Sequence, residues 1–225
     1  MIVHSIAIDG PAGAGKSTLA KALAKRLGYY YVDTGAIYRT VGLAVARRGG
    51  DCAKEEDVLP CLPALKITLS YGEDGLQRMH LNGEDVTAAI RENEVSRYAS
   101  QVSAMQEVRD FLMEMQRSLA REHNVVMDGR DIGTVVLPKA EVKIFLTASV
   151  EQRALRRQKE LLEKGQTIDL ETLKEEITQR DYVDTHRAAA PLRQAEDAVL
   201  VDTSELTWEE SLERLYTIVK ERVSP

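Results

Sequence analysis

The run Gly10-Pro11-Ala12-Gly13-Ala14-Gly15-Lys16-Ser17 satisfies the pattern G-x-x-x-x-G-K-[ST] at every fixed position. Each residue type has a task in holding a polyphosphate. Glycines let the main chain curl so that successive N–H groups point inward at one anion. A helix opening near Lys16 adds the positive end of its dipole. Lys16 brings a mobile cation to the β- and γ-phosphates, and the Ser17 hydroxyl is a hard oxygen donor for Mg2+. Gly10, Pro11, Ala12, Gly13, Ala14, Gly15, Lys16, Ser17 and Thr18 are therefore the expected nucleoside-triphosphate residues, with Ser17 the expected metal ligand. The loop does not say what is phosphorylated.

Arginine placement narrows that question. Arg39, Arg109, Arg130, Arg153, Arg156, Arg157, Arg180 and Arg187 are dispersed along the chain, most of them beside a strand end, a turn or a carboxylate. Phosphoryl transfer between two nucleotides gathers roughly six negative charges, of which Mg2+ offsets two, and the rest call for forked, permanently charged donors. A guanine reader of the Asn-Lys-x-Asp type is missing, since Asn82, Asn93 and Asn124 do not precede lysine. A motor-type ATPase would end its second core strand in Asp-Glu, whereas Asp128 is followed by Gly129. None of His4, His80, His123 and His186 stands where a general base would be needed, and each reads as an ordinary surface or hydrogen-bonded residue. An acceptor phosphate oxygen is already an anion, so transfer needs positioning and charge stabilisation rather than deprotonation.

The elements that hold these groups follow from hydrophobic spacing. Val3–Asp9 reads as a buried strand, Ser17–Leu27 as a helix stopped by Gly28, and Val125–Met127, Val142–Leu146 and Ala198–Val201 as further strands alternating with helices. That alternation indicates a parallel sheet with helices on both faces. Between them, residues 63–87 carry short alternating runs broken by Gly72–Gly75 and by Asn82-Gly83, a tight-hairpin signal. A helix over Gln106–Glu122 follows, with Val108, Phe111, Leu112, Met115 and Leu119 on one face. Ser149-x-x-Gln152 and Thr207-x-x-Glu210 are expected to open two later helices as capping boxes. Thirty Lys+Arg against 36 Asp+Glu give 30 − 36 = −6 over 225 residues, with no basic block for a nucleic acid. No window has the roughly 18 apolar residues of a membrane span, and Met1–Ser5 lacks the character of a signal peptide. Cys52 and Cys61 form neither a disulfide framework nor a CxxC metal site, so a reducing cytoplasm is expected. Nothing demands more than a monomer.

Four ordered motifs then carry a resemblance that runs over essentially the whole chain: Ile8–Ser17, Asp33-Thr34-Gly35-Ala36-Ile37-Tyr38-Arg39, Asp128-Gly129-Arg130-Asp131-Ile132-Gly133-Thr134, and Arg180-Asp181 with Asp184 and Arg187. The sequence resembles the bacterial cytidylate kinases of the nucleoside monophosphate kinase group. The resemblance implies an α/β phosphate-loop core formed by residues 1–35 and 125–225, with a helical lid at about 149–168. It also implies an inserted monophosphate-binding region, 36–124, whose antiparallel part is the hairpin-rich 63–87. The implied reaction moves the γ-phosphoryl group of Mg-ATP onto CMP, and onto dCMP, by direct in-line transfer.

The resemblance implies roles residue by residue. Arg39, Arg130 and Arg187 would hold the acceptor's phosphate, with Thr34 adding a hydroxyl. Asp131 would take the exocyclic amine of cytosine, and Ser100 and Arg109 would complete the base edge. Uracil would present a carbonyl to the same carboxylate and be repelled. Arg180 and Asp184, one helical turn apart, would lie near the ribose and phosphates, Asp184 accepting from sugar hydroxyls. Arg153, Arg156 and Arg157 share a helical face by spacing, and the lid would carry them onto the transferring group. The residues expected at the reacting phosphoryl are Lys16, Arg130, Arg153, Arg157 and Arg180.

Overall fold

The computed structural model describes residues 3–163 and 165–223. β1 (Ser5–Asp9) leads through the glycine loop into α1 (Lys16–Leu27), and β2 (Tyr30–Asp33) leads into α2 (Thr34–Arg47). A short helix α3 (Glu55–Val58) and a 3-10 turn at Leu59–Ala64 precede β3 (Ile67–Tyr71), β4 (Gln77–Leu81) and β5 (Glu84–Asp85). A second 3-10 turn (Ala89–Arg91), α4 (Asn93–Val102) and α5 (Gln106–Glu122) return the chain to β6 (Val125–Gly129). A π-helical turn at Ile132–Val136, β7 (Val142–Thr147), α6 (Val150–Glu163), α7 (Leu170–His186), β8 (Val199–Asp202) and α8 (Trp208–Arg222) complete it.

The main sheet is parallel throughout, in the order β2-β6-β1-β7-β8. β1 lies at its centre, and its alternate side chains feed two separate cores. Ala7 joins Val32, Val125 and Met127 under α2, α4 and α5, while Ile6 and Ile8 join Val126, Ile144 and Leu146 under α1 and α8. Both faces are thus covered, the condition under which a parallel sheet is stable. Four of the five parallel strands fall where hydrophobic runs place them; the sequence reading omits β2. Its residues Tyr30-Tyr31-Val32-Asp33 form an outer strand with Tyr30 exposed, so they lack the unbroken apolar run of an inner one.

The ends are set locally. Gly28 caps α1 in the left-handed conformation, φ 71°, and Asp33 caps α2 by accepting from the Ala36 N–H over 2.9 Å. Thr207 and Glu210 form both arms of the expected capping box, and Ser149 Oγ accepts from the Gln152 N–H over 3.2 Å. In the insertion, Asn82 (φ 52°) and Gly83 (φ 88°) make the two-residue turn between β4 and β5. The antiparallel strands begin at Ile67, because Leu62 and Pro63 continue the 3-10 turn.

One helix face differs from expectation. On α5 the side chain of Phe111 is exposed, while Arg109 and Gln116 join Val108 and Leu112 in the interior. The reading of Phe111 as core is corrected, and Arg109, expected at the base edge, is buried in an ion pair with Asp131. α6 and α7 pack on each other through a small core of their own, Ala154, Leu161, Leu173 and Ile177. Among the described residues no helix is long and apolar enough to cross a membrane.

Candidate active site

The glycine loop leaves β1 at the carboxyl end of the parallel sheet, the end at which ligands bind in open α/β folds. It begins under a steric demand. A Cβ on Gly10 would sit 1.9 Å from the carbonyl oxygen of Leu146 on β7, so no side chain fits there. Lys16 is buried, and its Nζ donates to the Pro11 carbonyl over 2.6 Å. Burial, followed by the nearby Arg130, pushes this ammonium well below the usual lysine range, against the pull of Asp128, Asp9 and Asp184. The Ser17 hydroxyl donates to Asp128 Oδ2 over 2.8 Å, and the Tyr31 hydroxyl donates to Asp128 Oδ1 over 2.8 Å. Burial, with Asp33 as a second cause, pushes Asp128 up to about 6.

Asp9, the last residue of β1, ties the loop to the other half of the site. Its two carboxylate oxygens accept the N–H groups of Ile132 and Gly133, each over 2.7 Å. Burial pushes Asp9 up to about 6, despite those two bonds. The residue before them, Asp131, is held between two arginines. Arg109 donates to Oδ2, and Arg187 donates to Oδ1 over 3.4 Å. Arg109 and Arg187 also converge on Ser103, through its carbonyl oxygen and its hydroxyl, each over 3.3 Å. Ser103 Oγ donates to the Ser100 carbonyl over 3.0 Å, which places the half-buried Ser100 beside the same group. Burial raises Asp131 above the ordinary carboxylate range, and Arg109, Arg187 and Arg130 oppose the shift.

α7 carries the groups between these two ends. Arg153 Nη2 donates to Asp181 over 2.6 Å while its Nη1 donates to the carbonyl of Ala12, inside the glycine loop, over 3.0 Å. Arg130 Nε donates to Asp184 Oδ2 over 2.8 Å. Burial resists ionisation of Asp184, but Arg130, Arg180 and Arg187 outweigh it and hold the carboxyl below its ordinary range. Arg180 is lowered by burial and by Arg130, with Arg39 adding to the repulsion. On the far side, Arg39 Nη2 donates to Asp33 over 2.8 Å and Thr34 Oγ1 donates to the Asp128 carbonyl over 2.7 Å. The Nε atoms of Arg39, Arg109 and Arg180 are buried without a hydrogen-bond partner among the described residues.

The structure therefore brings Lys16, Ser17, Thr34, Arg39, Ser100, Arg109, Arg130, Asp131, Arg153, Arg180, Asp184 and Arg187 into one connected region. Arg153, Arg156 and Arg157 lie on one helix at the expected spacing, but their side chains reach different partners. Arg153 is buried against Ala12 and Asp181, Arg156 donates to Thr203, and Arg157, 39% exposed, pairs with Glu160. Their spacing spans an arc of the helix, and the partner within reach of each long side chain decides where it lies. The sequence reading also omits Asp9, Asp33 and Asp181 as site residues. Each stands within or beside a quoted motif, so a carboxylate adjacent to a phosphate-binding run was the available signal. Of the histidines, His80 hydrogen-bonds Ser70 and His186 stacks on Tyr182, whereas His4 Nδ1 is buried without a partner among the described residues.

A glycine loop clasped by Arg153, a hydroxyl on the strand-end carboxylate and a covered parallel sheet define a phosphate-loop protein. The sequence profile of the family described as Cytidylate kinase matches residues 6–221. The chain belongs to the cytidylate kinase family. It is 50% identical over 223 residues to the cytidylate kinase of Caldicellulosiruptor bescii, covering 97% of this chain and 98% of that one. It is 49% identical over 224 residues to that of Leuconostoc mesenteroides, covering all of both. Among solved structures, an uncharacterized protein from Eubacterium ventriosum matches with a TM-score of 0.55 at 11% identity, over 97% of this chain and 99% of the other, which shows shared fold alone.

Proposed function

We propose that this protein transfers the γ-phosphoryl group of ATP to CMP, and to dCMP, giving ADP and the pyrimidine nucleoside diphosphate. The observation that carries the reading is the hydrogen-bonded pairing on α7. Asp181 reaches the glycine loop through Arg153, and Asp184, three residues on, holds Arg130. These contacts join loop and arginine cluster through one helix, which supports reading them as one site, and the unpartnered Nε atoms of Arg39 and Arg180 leave donors for a second phosphate.

In this reading the main chain of Gly10–Thr18 and Lys16 hold the triphosphate. Arg39, Arg130 and Arg187 hold the acceptor's phosphate, and Thr34 lies beside it. Asp131 accepts the cytosine amine while Arg109 and Ser100 read the rest of the base edge. Asp184, its charge secured by Arg130, accepts from the sugar hydroxyls. Charge accumulating on the transferred group is met by Lys16, Arg130, Arg153 and Arg180 without proton abstraction by the protein. Arg157 lies outside this set in the present geometry.

The donor chemistry fits Mg2+. Ser17 Oγ and the Asp128 carboxylate are hard oxygens 2.8 Å apart, and a cation that keeps waters and substrate phosphates needs few protein ligands. Among the described residues no cluster of three or more His, Cys, Asp or Glu side chains suits a metal cage. Ser17 would ligate the ion, with Asp128 orienting that hydroxyl, and the bound ion would neutralise charge on the β- and γ-phosphates.

An ADP-release assay with CMP, dCMP, UMP and AMP as acceptors tests the reading. Strong CMP-dependent ADP production is expected, with UMP and AMP weaker. Faster turnover of AMP than of CMP would remove the roles given to Asp131 and Arg109, and acceptor-independent ADP release alone would remove the transfer itself.

A further inference from the structure

β2 is the outer strand of the parallel sheet, and two side chains rather than a sixth strand cover part of its free edge. Tyr71, the last residue of β3, donates its hydroxyl to the Tyr31 carbonyl over 3.0 Å. Gln77, the first residue of β4 and the cross-strand partner of Tyr71, engages Asp33 twice. Its Oε1 accepts from the Asp33 N–H over 2.7 Å, and its Nε2 donates to the Asp33 carbonyl over 3.2 Å. A primary amide offers the same donor and acceptor as a peptide group. Gln77, only 7% exposed, thus pairs with Asp33 as a neighbouring strand would.

The residue it grips is the one that aims an arginine. Asp33 Oδ1 accepts from Ala36 N–H and starts α2, while Oδ2 receives Arg39 over 2.8 Å and lies 3.1 Å from Arg91 Nη1. Apolar contacts of Met79 and Leu81 already bind the insertion to the main core. The amide adds register instead: two bonds to one residue fix where β4 stands relative to the start of α2. We propose that Gln77 is a positioning residue for the acceptor, registering the antiparallel insertion on Asp33 and, through that carboxylate, aiming Arg39 into the acceptor pocket. This rests on the reading that Arg39 holds the acceptor's phosphate.

The test is a double-mutant cycle on KM for CMP and for ATP, with the wild type, Gln77→Leu, Arg39→Met and the double variant. Gln77→Leu is expected to raise KM for CMP roughly tenfold, the scale of one or two misplaced hydrogen bonds, while KM for ATP stays within about twofold. In the Arg39→Met background the same change is expected to add nothing further. An unchanged KM for CMP in Gln77→Leu, an equal rise for ATP, or full additivity with Arg39→Met overturns the proposal. If Arg39→Met alone leaves KM for CMP unchanged, the acceptor role of Arg39 falls, a failure separate from that of Gln77. Should Gln77→Leu not fold, Gln77→Glu enters the same cycle, since it retains the acceptor for the Asp33 N–H but sets a carboxylate against the Asp33 carbonyl; the same outcomes decide.

Discussion

The ammonium of Lys16 donates to the carbonyl oxygen of Pro11, 2.6 Å away, so the cation of the glycine loop is tethered to the loop itself. Its burial beside Arg130 disfavours the charged form. Lys16→Met keeps the aliphatic stem and removes the charge. It is expected to lower kcat about 10²- to 10³-fold, the scale of one lost electrostatic donor, with an unaltered circular dichroism spectrum. A kcat within threefold of wild type would show that Lys16 does not act on phosphate charge.

Asp131 is flanked by two arginines within the interior, so truncation and neutralisation should differ. Asp131→Ala strands Arg109 and Arg187 without their carboxylate, and losing one partner of a buried pair costs about 3–5 kcal/mol. Asp131→Asn keeps the shape and adds an amide donor that a uracil carbonyl can use. It is expected to shift the ratio of kcat/KM for UMP over CMP upward by at least about tenfold, a discrimination of roughly 1–2 kcal/mol. Equal losses for both pyrimidines would give Asp131 a structural role only.

Asp9 predicts a pH dependence of stability with a definite sign. Its folded pKa of about 6 lies above the ordinary value of 3.8, so between those values the folded state binds more protons than the unfolded chain. Stability contributed by the protonated form is therefore full below about pH 4 and is lost as pH rises through 6. Asp184, shifted the other way, holds its full contribution above its ordinary value and loses it as pH falls from there through its depressed value. Between pH 4.5 and 6.5 the Tm is expected to fall, and Asp9→Asn should flatten that slope. An identical slope in the variant would place the effect elsewhere.

The two arginines at positions 153 and 157 should separate cleanly in kinetics. Arg153→Ala removes the clasp between Ala12 and Asp181 and is expected to lower kcat/KM for ATP by about 10²-fold. Arg157→Ala removes only an exposed pair with Glu160, of the kind that contributes about 0–1 kcal/mol, and should leave kcat within about threefold. A large loss in Arg157→Ala would mean that lid closure turns this side chain inward.

Where α2 crosses α4, Gly42 faces Tyr98. A Cβ at position 42 would lie 2.6 Å from the Cβ of Tyr98, so the helices would have to part. Gly42→Ala is expected to destabilise by about 1–3 kcal/mol despite its better helix propensity, read as a lower urea midpoint at an unchanged slope.

What the sequence made legible was local: the glycine loop, the hairpin at Asn82-Gly83, the cap at Thr207 and the runs that become β1, β6, β7 and β8. The short outer strand β2 escaped because its four residues pass from exposed Tyr30 to buried Val32 and Asp33 and do not alternate as a half-buried strand does. Pairings across 22 to 141 positions, Arg109 with Asp131 or Arg153 with Ala12, have no periodic signature at all. Arg109 shows the cost of that. Helical spacing alone gives no reason for an arginine in the interior of α5, and its carboxylate partner is brought in by a different element. The direction of each arginine on α6 was hidden for the same reason, since helical spacing gives an azimuth and not an end point.

α7 is bound to α6 by a small cluster of aliphatic side chains, yet Asp181, Asp184 and the Arg187 that ends it meet the glycine loop, Arg130 and Asp131 in turn. All three side chains lie within the last turns of this one helix, so a single rigid end spans the glycine loop and the arginine cluster. Any displacement of this helix at one of those contacts carries the other two with it, and by linkage whatever effect runs in one direction runs equally in the other.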